Sequence, residues 1–299
     1  MKILVTGANG LLGQKLMELL DKDESVVPVA TARRPLTYPV KRVTFRPMDV
    51  TDAEGVLKVL QEQKPDVVIN AAAMTQVDHC ETQREECWRQ NVGGVENLVK
   101  AVEEVNAHLV HVSTDFIFDG TRGPLTEDEQ PAPVNFYGES KLAGEKVVQQ
   151  SKCGWAILRT VLVYGITPDM SRSNIVLWVK KSLEERKKIQ VVNDQWRTPT
   201  LAEDLAQGCY LAAKQKATGI FNISGEMMMT PYDIAMATAD FFKLDQSLIQ
   251  ATDSNQFKQP ARRPLKTGFI IDKAKRILGY KPHTFREGLQ LMAQQMREA

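Results

Sequence analysis

The segment Tyr137-Gly138-Glu139-Ser140-Lys141 sets a phenol and an amine four positions apart. On a helix that spacing brings both side chains to one face. A free phenol, with a pKa near ~10, is a sluggish acid or base at neutral pH. A neighbouring ammonium stabilises phenolate and is expected to draw that pKa toward the working range. Upstream, His111-Val112-Ser113-Thr114-Asp115 ends an apolar run on hydroxyls. At a strand end, Thr114 (or Ser113) is well placed to hydrogen-bond a substrate carbonyl. Together these groups form a set for reducing a ketone. On an exposed helix the same Tyr–Lys pair would be mere surface, so its meaning depends on what else the chain carries.

Val5-Thr6-Gly7-Ala8-Asn9-Gly10-Leu11-Leu12-Gly13 leaves an apolar run and enters an amphipathic one, with Gly7, Gly10 and Gly13 spaced three apart. Missing Cβ atoms permit a tight turn and close approach of backbone to a pyrophosphate. The following helix N-terminus supplies free N–H groups and a favourable dipole. Three glycines alone are a weak signal, but between a strand and a helix they indicate a dinucleotide. An acidic residue about 20 positions on would bind the ribose hydroxyls of NAD. Thr31-Ala32-Arg33-Arg34 stands there instead, and two guanidinium groups suit a 2′-phosphate. NADPH is therefore expected in preference to NADH. Asp49-Val50 is expected at the adenine, and Ala71-Ala72-Ala73 beside the cofactor backbone.

These groups need a scaffold, and the first half of the chain supplies one. Apolar runs at 2–6, 26–31, 42–46, 66–71, 108–113 and 155–163 read as strands. Between them, 11–20, 53–63, 85–105 and 137–150 read as helices, with Leu12, Leu16, Leu19 and Leu20 on one face of the first. The alternation predicts an α/β fold, a doubly wound parallel sheet of Rossmann type. Beyond Tyr164 the rhythm loosens: helices at 174–185 and 202–214, strands at 188–192 and 219–223, then a mostly helical tail from Pro231. The polar, Pro-containing stretch 252–264 is either a substrate loop or a connector. The expected organisation is a dinucleotide domain over 1–163, to which about 187–222 returns. A smaller, mostly helical substrate cap takes 164–186 and 223–299.

The 299 residues carry 38 basic and 37 acidic side chains, well mixed, for a net charge of +1. That balance suggests neither a nucleic-acid surface nor a membrane patch. No run approaches the ~18 apolar residues of a membrane span. The four cysteines, Cys80, Cys87, Cys153 and Cys209, show no Cys-x-x-Cys pairing and fit a reducing cytoplasm. His79-Cys80 and Cys87 lack a second pair at ligand spacing, so no metal is expected.

The motifs together resemble the extended short-chain dehydrogenases/reductases, and more narrowly the dTDP-4-dehydrorhamnose reductase family, along nearly the full length. Carrying the resemblance are the runs from Asn70 to Asp78, Ser113 to Gly120 and Asn135 to Glu145. Leu158-Arg159-Thr160, Val192-Asn193-Asp194-Gln195, Pro199-Thr200 and Ala261-Arg262-Arg263-Pro264 add to it. The resemblance implies hydride transfer to the C4 ketone of a nucleotide-activated 4-keto-6-deoxy sugar, as in dTDP-L-rhamnose biosynthesis. Tyr137 would give the proton, Thr114 would polarise the carbonyl, and Lys141 would hold the nicotinamide ribose. Thr75, Val77, Asp78 and Asp115 would lie near the sugar, and Arg262 near the diphosphate. Asn9, Leu11, Leu12 and Asn91 would join the glycines around the cofactor, and a homodimer is compatible with the family.

One departure concerns the pattern Arg-Thr-x-Trp, whose aromatic ring lies against the sugar in the family. Here it reads Arg159-Thr160-Val161-Leu162, which puts the exact sugar in question. A second concerns the carboxylates through which some relatives hold magnesium between subunits, replaced by Asn193-Asp194. Two other functions stay open on this fold: a nucleotide-sugar epimerase, against which Arg33-Arg34 argues, and a non-catalytic cofactor-binding subunit resembling the methionine adenosyltransferase β-subunit.

Overall fold

The computed structural model describes residues 1–168 and 173–298. Its strands are β1 (Lys2–Thr6), β2 (Val27–Ala32), β3 (Thr44–Pro47), β4 (Val67–Asn70), β5 (His108–Thr114) and β6 (Trp155–Thr160), followed by β7 (Val163–Tyr164), β8 (Ile189–Val192), β9 (Thr200–Leu201), β10 (Gly219–Ile223) and β11 (Ile249–Thr252). Seven of them form one parallel sheet in the order β10-β6-β5-β4-β1-β2-β3. The order reverses direction at β1, and ligands of such sheets bind at the carboxyl ends of the strands beside that switch.

The central strands are apolar throughout because both faces are covered. Side chains alternate between faces: Ile3 and Val5 enter one core with Val67, Ile69 and Val110. Leu4 enters the opposite core with Val68 and Leu109. The first face is closed by α1 (Leu11–Lys22) and α8 (Ala202–Gln215), through Leu16, Leu20, Leu205 and Ala212. The second is closed by α2 (Ala53–Gln63) and α5 (Gly94–Glu104), through Val56, Leu60, Leu98 and Val102. Full burial of one such side chain contributes about 1.5–3 kcal/mol.

Three departures from the expected elements have physical causes. The helix expected over 85–105 is divided into α4 (Arg84–Trp88), a π-helical turn (Arg89–Gly93) and α5, after a separate α3 (Val77–Thr82). The strand expected over 155–163 ends at Thr160, because Leu162 takes a left-handed backbone with φ of 36°. Thr200 grips this break, its hydroxyl donating to the Val161 carbonyl at 2.6 Å. Finally, β8 does not join the large sheet with β10. It pairs in parallel with β11, a strand not anticipated in the sequence, and packs under α7 (Ile175–Glu184) and α9 (Pro231–Phe242).

The remaining helices are α6 (Phe136–Gln149), α10 (Asp272–Leu278) and α11 (Phe285–Glu298). The expected first cap segment, 164–186, includes 169–172, which lie outside the described residues. Among the described residues no helix is long and apolar enough to cross a membrane, and all four cysteines are free thiols.

Candidate active site

At the end of β1 the chain turns through Gly7, whose φ is 67°. A Cβ there would sit 3.0 Å from the Ala72 backbone, and one at Gly13 would lie 2.2 Å from the Gly7 carbonyl. The loop can thus lie flat against the end of β4 and against α1 only without side chains. Gly10 caps α1 with no side-chain hydrogen bond, and the first turn contains no acid. The leading N–H groups and the dipole remain uncompensated, an arrangement suited to an anion. Ala8 holds the loop in place by donating to Thr31 O at 3.1 Å and accepting from the Tyr38 hydroxyl at 2.8 Å. The Asn9 amide donates to Arg34 O at 3.0 Å and Pro35 O at 3.2 Å, fastening the Arg33–Arg34 turn to the glycine loop. Both arginines are exposed.

From this cradle a cavity of about 560 Å³ runs to the ends of β4 and β5 and the start of α6. Thr114, Tyr137 and Lys141 all line it, as do Asn9, Leu11, Leu12, Ala71, Ala73, Thr75, Val77 and Asp115. Helix α6 starts where Asn135 accepts from the Gly138 N–H at 2.9 Å, which sets Tyr137 in its first turn. The Thr114 hydroxyl donates to Asp115 Oδ1 at 3.1 Å, accepts from the Phe116 N–H at 3.2 Å and meets the Tyr137 phenol. One turn along the helix, Lys141 Nζ donates to Val112 O at 2.8 Å.

Electrostatics correct one expectation. Burial pushes the Tyr137 phenol above its ordinary range rather than below it, and Asp115 adds to the rise while Thr114 opposes it. Desolvation of a buried phenolate is the largest influence on it. The phenol therefore stays protonated, the state required of a proton donor. Burial acts on Lys141 too, bringing it down to about 8 against the pull of Glu145, Cys87 and Cys80.

Three buried polar atoms on residues lining the cavity, Ser113 Oγ, Thr167 Oγ1 and Asn9 Oδ1, have no hydrogen-bond partner among the described residues. Buried polar atoms are rarely left so. With the glycine cradle and the uncapped helix, they fit a polar, phosphate-bearing dinucleotide.

The other expected site residues lie elsewhere. Ala72 backs the glycine loop, its N–H donating to Thr6 Oγ1 at 3.1 Å. Asn91, brought inward by the π-helical turn, spends its amide on Met74, accepting from N at 2.8 Å and donating to O at 3.0 Å. It shapes the loop after β4 rather than lining the cavity. The Asp49 carboxylate accepts from the Thr51 N–H and hydroxyl, both at 2.9 Å. Against the cost of partial burial, those bonds and nearby Arg33 and Arg89 hold its carboxyl below the usual range. Val50 O accepts from Asn97 at 3.0 Å. Asp78 is committed to Arg263, and the Arg262 side chain is exposed while its carbonyl accepts from Asn135 at 2.7 Å.

Sequence reasoning missed a second cavity of about 640 Å³, which shares Leu162, Val163, Ser173 and Asn174 with the first. Trp178, Phe257, Gln190 and Arg263 line its far part. Leu162 thus stands on the wall common to both, and its departure from the family pattern was the available signal. No group of three or more His, Cys, Asp or Glu side chains able to hold a metal occurs among the described residues.

A doubly wound parallel sheet, a glycine cradle at its switch point and a Thr–Tyr–Lys set at the neighbouring strand end define an extended short-chain dehydrogenase/reductase that takes a nicotinamide dinucleotide. The model of the RmlD substrate binding domain family matches residues 1–298, and the chain belongs to that family of sugar-nucleotide-reductase-like enzymes. Among solved structures, it is similar to a dTDP-4-dehydrorhamnose reductase from Clostridium acetobutylicum, with a TM-score of 0.88 and 30% identity over 99% of this chain and 100% of that one. A second, from Bacillus anthracis in complex with NADP, gives a TM-score of 0.84 and 28% identity over 98% and 99%. Among curated proteins, the mouse (Mus musculus) methionine adenosyltransferase 2 subunit beta is 32% identical over 97% of this chain and 86% of its own length.

Proposed function

We propose that the protein reduces the C4 ketone of a nucleotide-activated 4-keto-6-deoxy sugar with NADPH, as in dTDP-L-rhamnose formation in the cytoplasm. The observation that carries this reading is the meeting of Thr114, Tyr137 and Lys141 in the cavity that starts at the uncapped helix behind Gly10. The bound nicotinamide supplies the hydride. Tyr137, held protonated by burial, gives its proton to the developing alkoxide. Thr114, whose hydroxyl sits beside that phenol, orients the carbonyl oxygen for the transfer. Lys141, on the same face one turn on, holds the nicotinamide ribose with its ammonium. Arg33 and Arg34, in the turn anchored by Asn9, would hold the 2′-phosphate of NADPH. An epimerase, which would recycle NAD within one turnover, has less use for two arginines there.

The direct test is consumption of NADPH, then NADH, by purified protein given dTDP-4-keto-L-rhamnose. Loss of reduced-nicotinamide absorbance with dTDP-L-rhamnose as product supports the reading. Tight NADPH binding with no turnover of this or other keto-sugar nucleotides overturns it. The mouse relative and the missing aromatic ring at Leu162 favour one second reading, a cofactor-binding regulatory subunit. Co-elution with a methionine adenosyltransferase catalytic subunit, together with absent turnover, would establish that alternative.

A further inference from the structure

Arg197 is a buried cation, its side chain 5% exposed, in the connection between β8 and β9. Its guanidinium donates from Nη1 to Trp196 O at 2.8 Å and Leu265 O at 3.2 Å, and from Nη2 to Pro264 O at 2.6 Å. Nε faces Asp115 Oδ2 at 3.5 Å. Asp115 is itself only 2% exposed, and Thr267 also donates to Oδ2. The other oxygen, Oδ1, accepts from the Thr114 hydroxyl at 3.1 Å. Arg197 Cζ lies 5.8 Å from the Phe116 ring centroid, and Phe116 meets Tyr137 edge-on at 5.7 Å.

An isolated buried carboxylate would take a proton rather than stay charged. Burial raises the Asp115 carboxyl above its ordinary value, and Arg197 and the hydrogen bonds from Thr267 and Thr114 oppose that rise; the same three groups face its oxygens as donors. Both Asp115 oxygens accept, and the bond to Oδ1 sets where the Thr114 hydroxyl stands. That position is beside the Tyr137 phenol, whose pKa the Thr114 hydrogen bond lowers against the effect of burial. The same guanidinium that fixes Asp115 also fixes the carbonyls of Pro264 and Leu265, directly after Arg263, which lines the second cavity.

We infer that Arg197 is a positioning residue for the reaction, holding Asp115 so that it fixes the Thr114 hydroxyl, and tying that geometry to the segment bearing Arg263. This rests on the proposed ketone reduction for its kinetic consequence but not for its structural one. A misplacement of about 1 Å at a reacting group costs on the order of 100-fold in rate.

The test compares Arg197→Met and Arg197→Lys with the wild-type protein, normalising turnover to sites titrated with NADPH. Arg197→Met is expected to lower kcat on the order of 100-fold with sugar-nucleotide KM and NADPH affinity little changed; Arg197→Lys recovers part of the loss. A purely structural role would instead lower the number of titratable sites or raise KM, and unchanged kcat per site overturns the inference. A crystal structure of Arg197→Met supplies an arm that needs no turnover: Asp115 Oδ1 is expected to leave the Thr114 hydroxyl. Retention of that contact overturns the inference. Should the wild-type protein reduce no keto-sugar nucleotide, the proposed reaction fails, and the crystallographic arm still decides the role of Arg197.

Discussion

Arg263 forks onto Asp78, Nη1 to Oδ1 at 2.6 Å and Nη2 to Oδ2 at 2.7 Å, across 185 residues of sequence. The Ala261 N–H donates to the same carboxylate at 3.2 Å. Led by the Arg263 hydrogen bonds, these partners hold the Asp78 carboxyl below its usual range, against the cost of burial. Asp78 thus bears on the second cavity by aiming Arg263, which lines it.

Asp78→Ala should raise the KM for the sugar nucleotide about fivefold while leaving kcat unchanged, as suits a partly exposed pair contributing ~1 kcal/mol. Arg263→Ala should do at least as much, and the double variant no more than Arg263→Ala alone, because the two share one function. Steady-state kinetics on the four proteins checks this. Additive losses would separate the residues.

Tyr137→Phe deletes the proton donor but leaves the cradle untouched. Turnover should fall by about 10²–10⁴-fold, the usual contribution of a positioned acid. NADPH affinity by fluorescence titration should stay within about twofold of wild type. Unchanged turnover would remove Tyr137 from the chemistry.

The Arg33–Arg34 turn separates the two nicotinamide cofactors. Arg33→Ala with Arg34→Ala should weaken NADPH about 10–100-fold, equivalent to losing charged hydrogen bonds worth ~1.5–3 kcal/mol. NADH should change little. Equal losses for both cofactors would mean that these side chains do not contact a 2′-phosphate.

Lys141 predicts opposite responses of binding and stability to pH. Burial lowers it to about 8, so the ammonium that would hold the cofactor is lost as pH rises through about 8. NADPH affinity should decline over that interval. In the unfolded chain the same lysine titrates near ~10.4. Between the two values the unfolded state binds the extra proton, so this residue's contribution to stability grows with rising pH. Lys141→Met should flatten both trends. Calorimetric titration and urea unfolding from pH 7 to pH 10 measure them separately, and a pH-independent NADPH affinity in wild type would refute the assignment.

Much of this architecture was legible because local and global preferences coincide. Buried parallel strands need unbroken apolar runs, and those of β1, β4 and β5 are unmistakable in the sequence. The Gly7–Gly13 spacing and the Tyr137–Lys141 pair were legible for the same reason, each being fixed by one turn or one helix face. What could not be read depends on distant partners. Nothing near Trp196-Arg197-Thr198 announces a carboxylate at Asp115, and nothing in Val77-Asp78 announces Arg263. The break after Thr160 was hidden because Val161, Leu162 and Val163 are as apolar as the strand before them. The strand ends there because Leu162 turns left-handed and Thr200 bonds to Val161 and Leu162. The π-helical turn that directs the Asn91 amide to Met74 has no counterpart in a regular helical pattern.

The two faces of the large sheet also set a timetable for synthesis. Every buried member of the core containing Leu4 and Leu109 has been made once Ile157 has emerged from the ribosome. The opposite face, with Ile3, Val5, Val67, Ile69 and Val110, must wait for Leu205, Ala206, Cys209, Ala212 and Ala213, and later for Phe221 and Tyr280. At roughly 5–20 residues per second, the nascent chain spends several seconds with one apolar face closed and the other covered only in part, by α1. That interval, more than anything in the finished protein, is when the chain is open to aggregation and when a chaperone would find its surface.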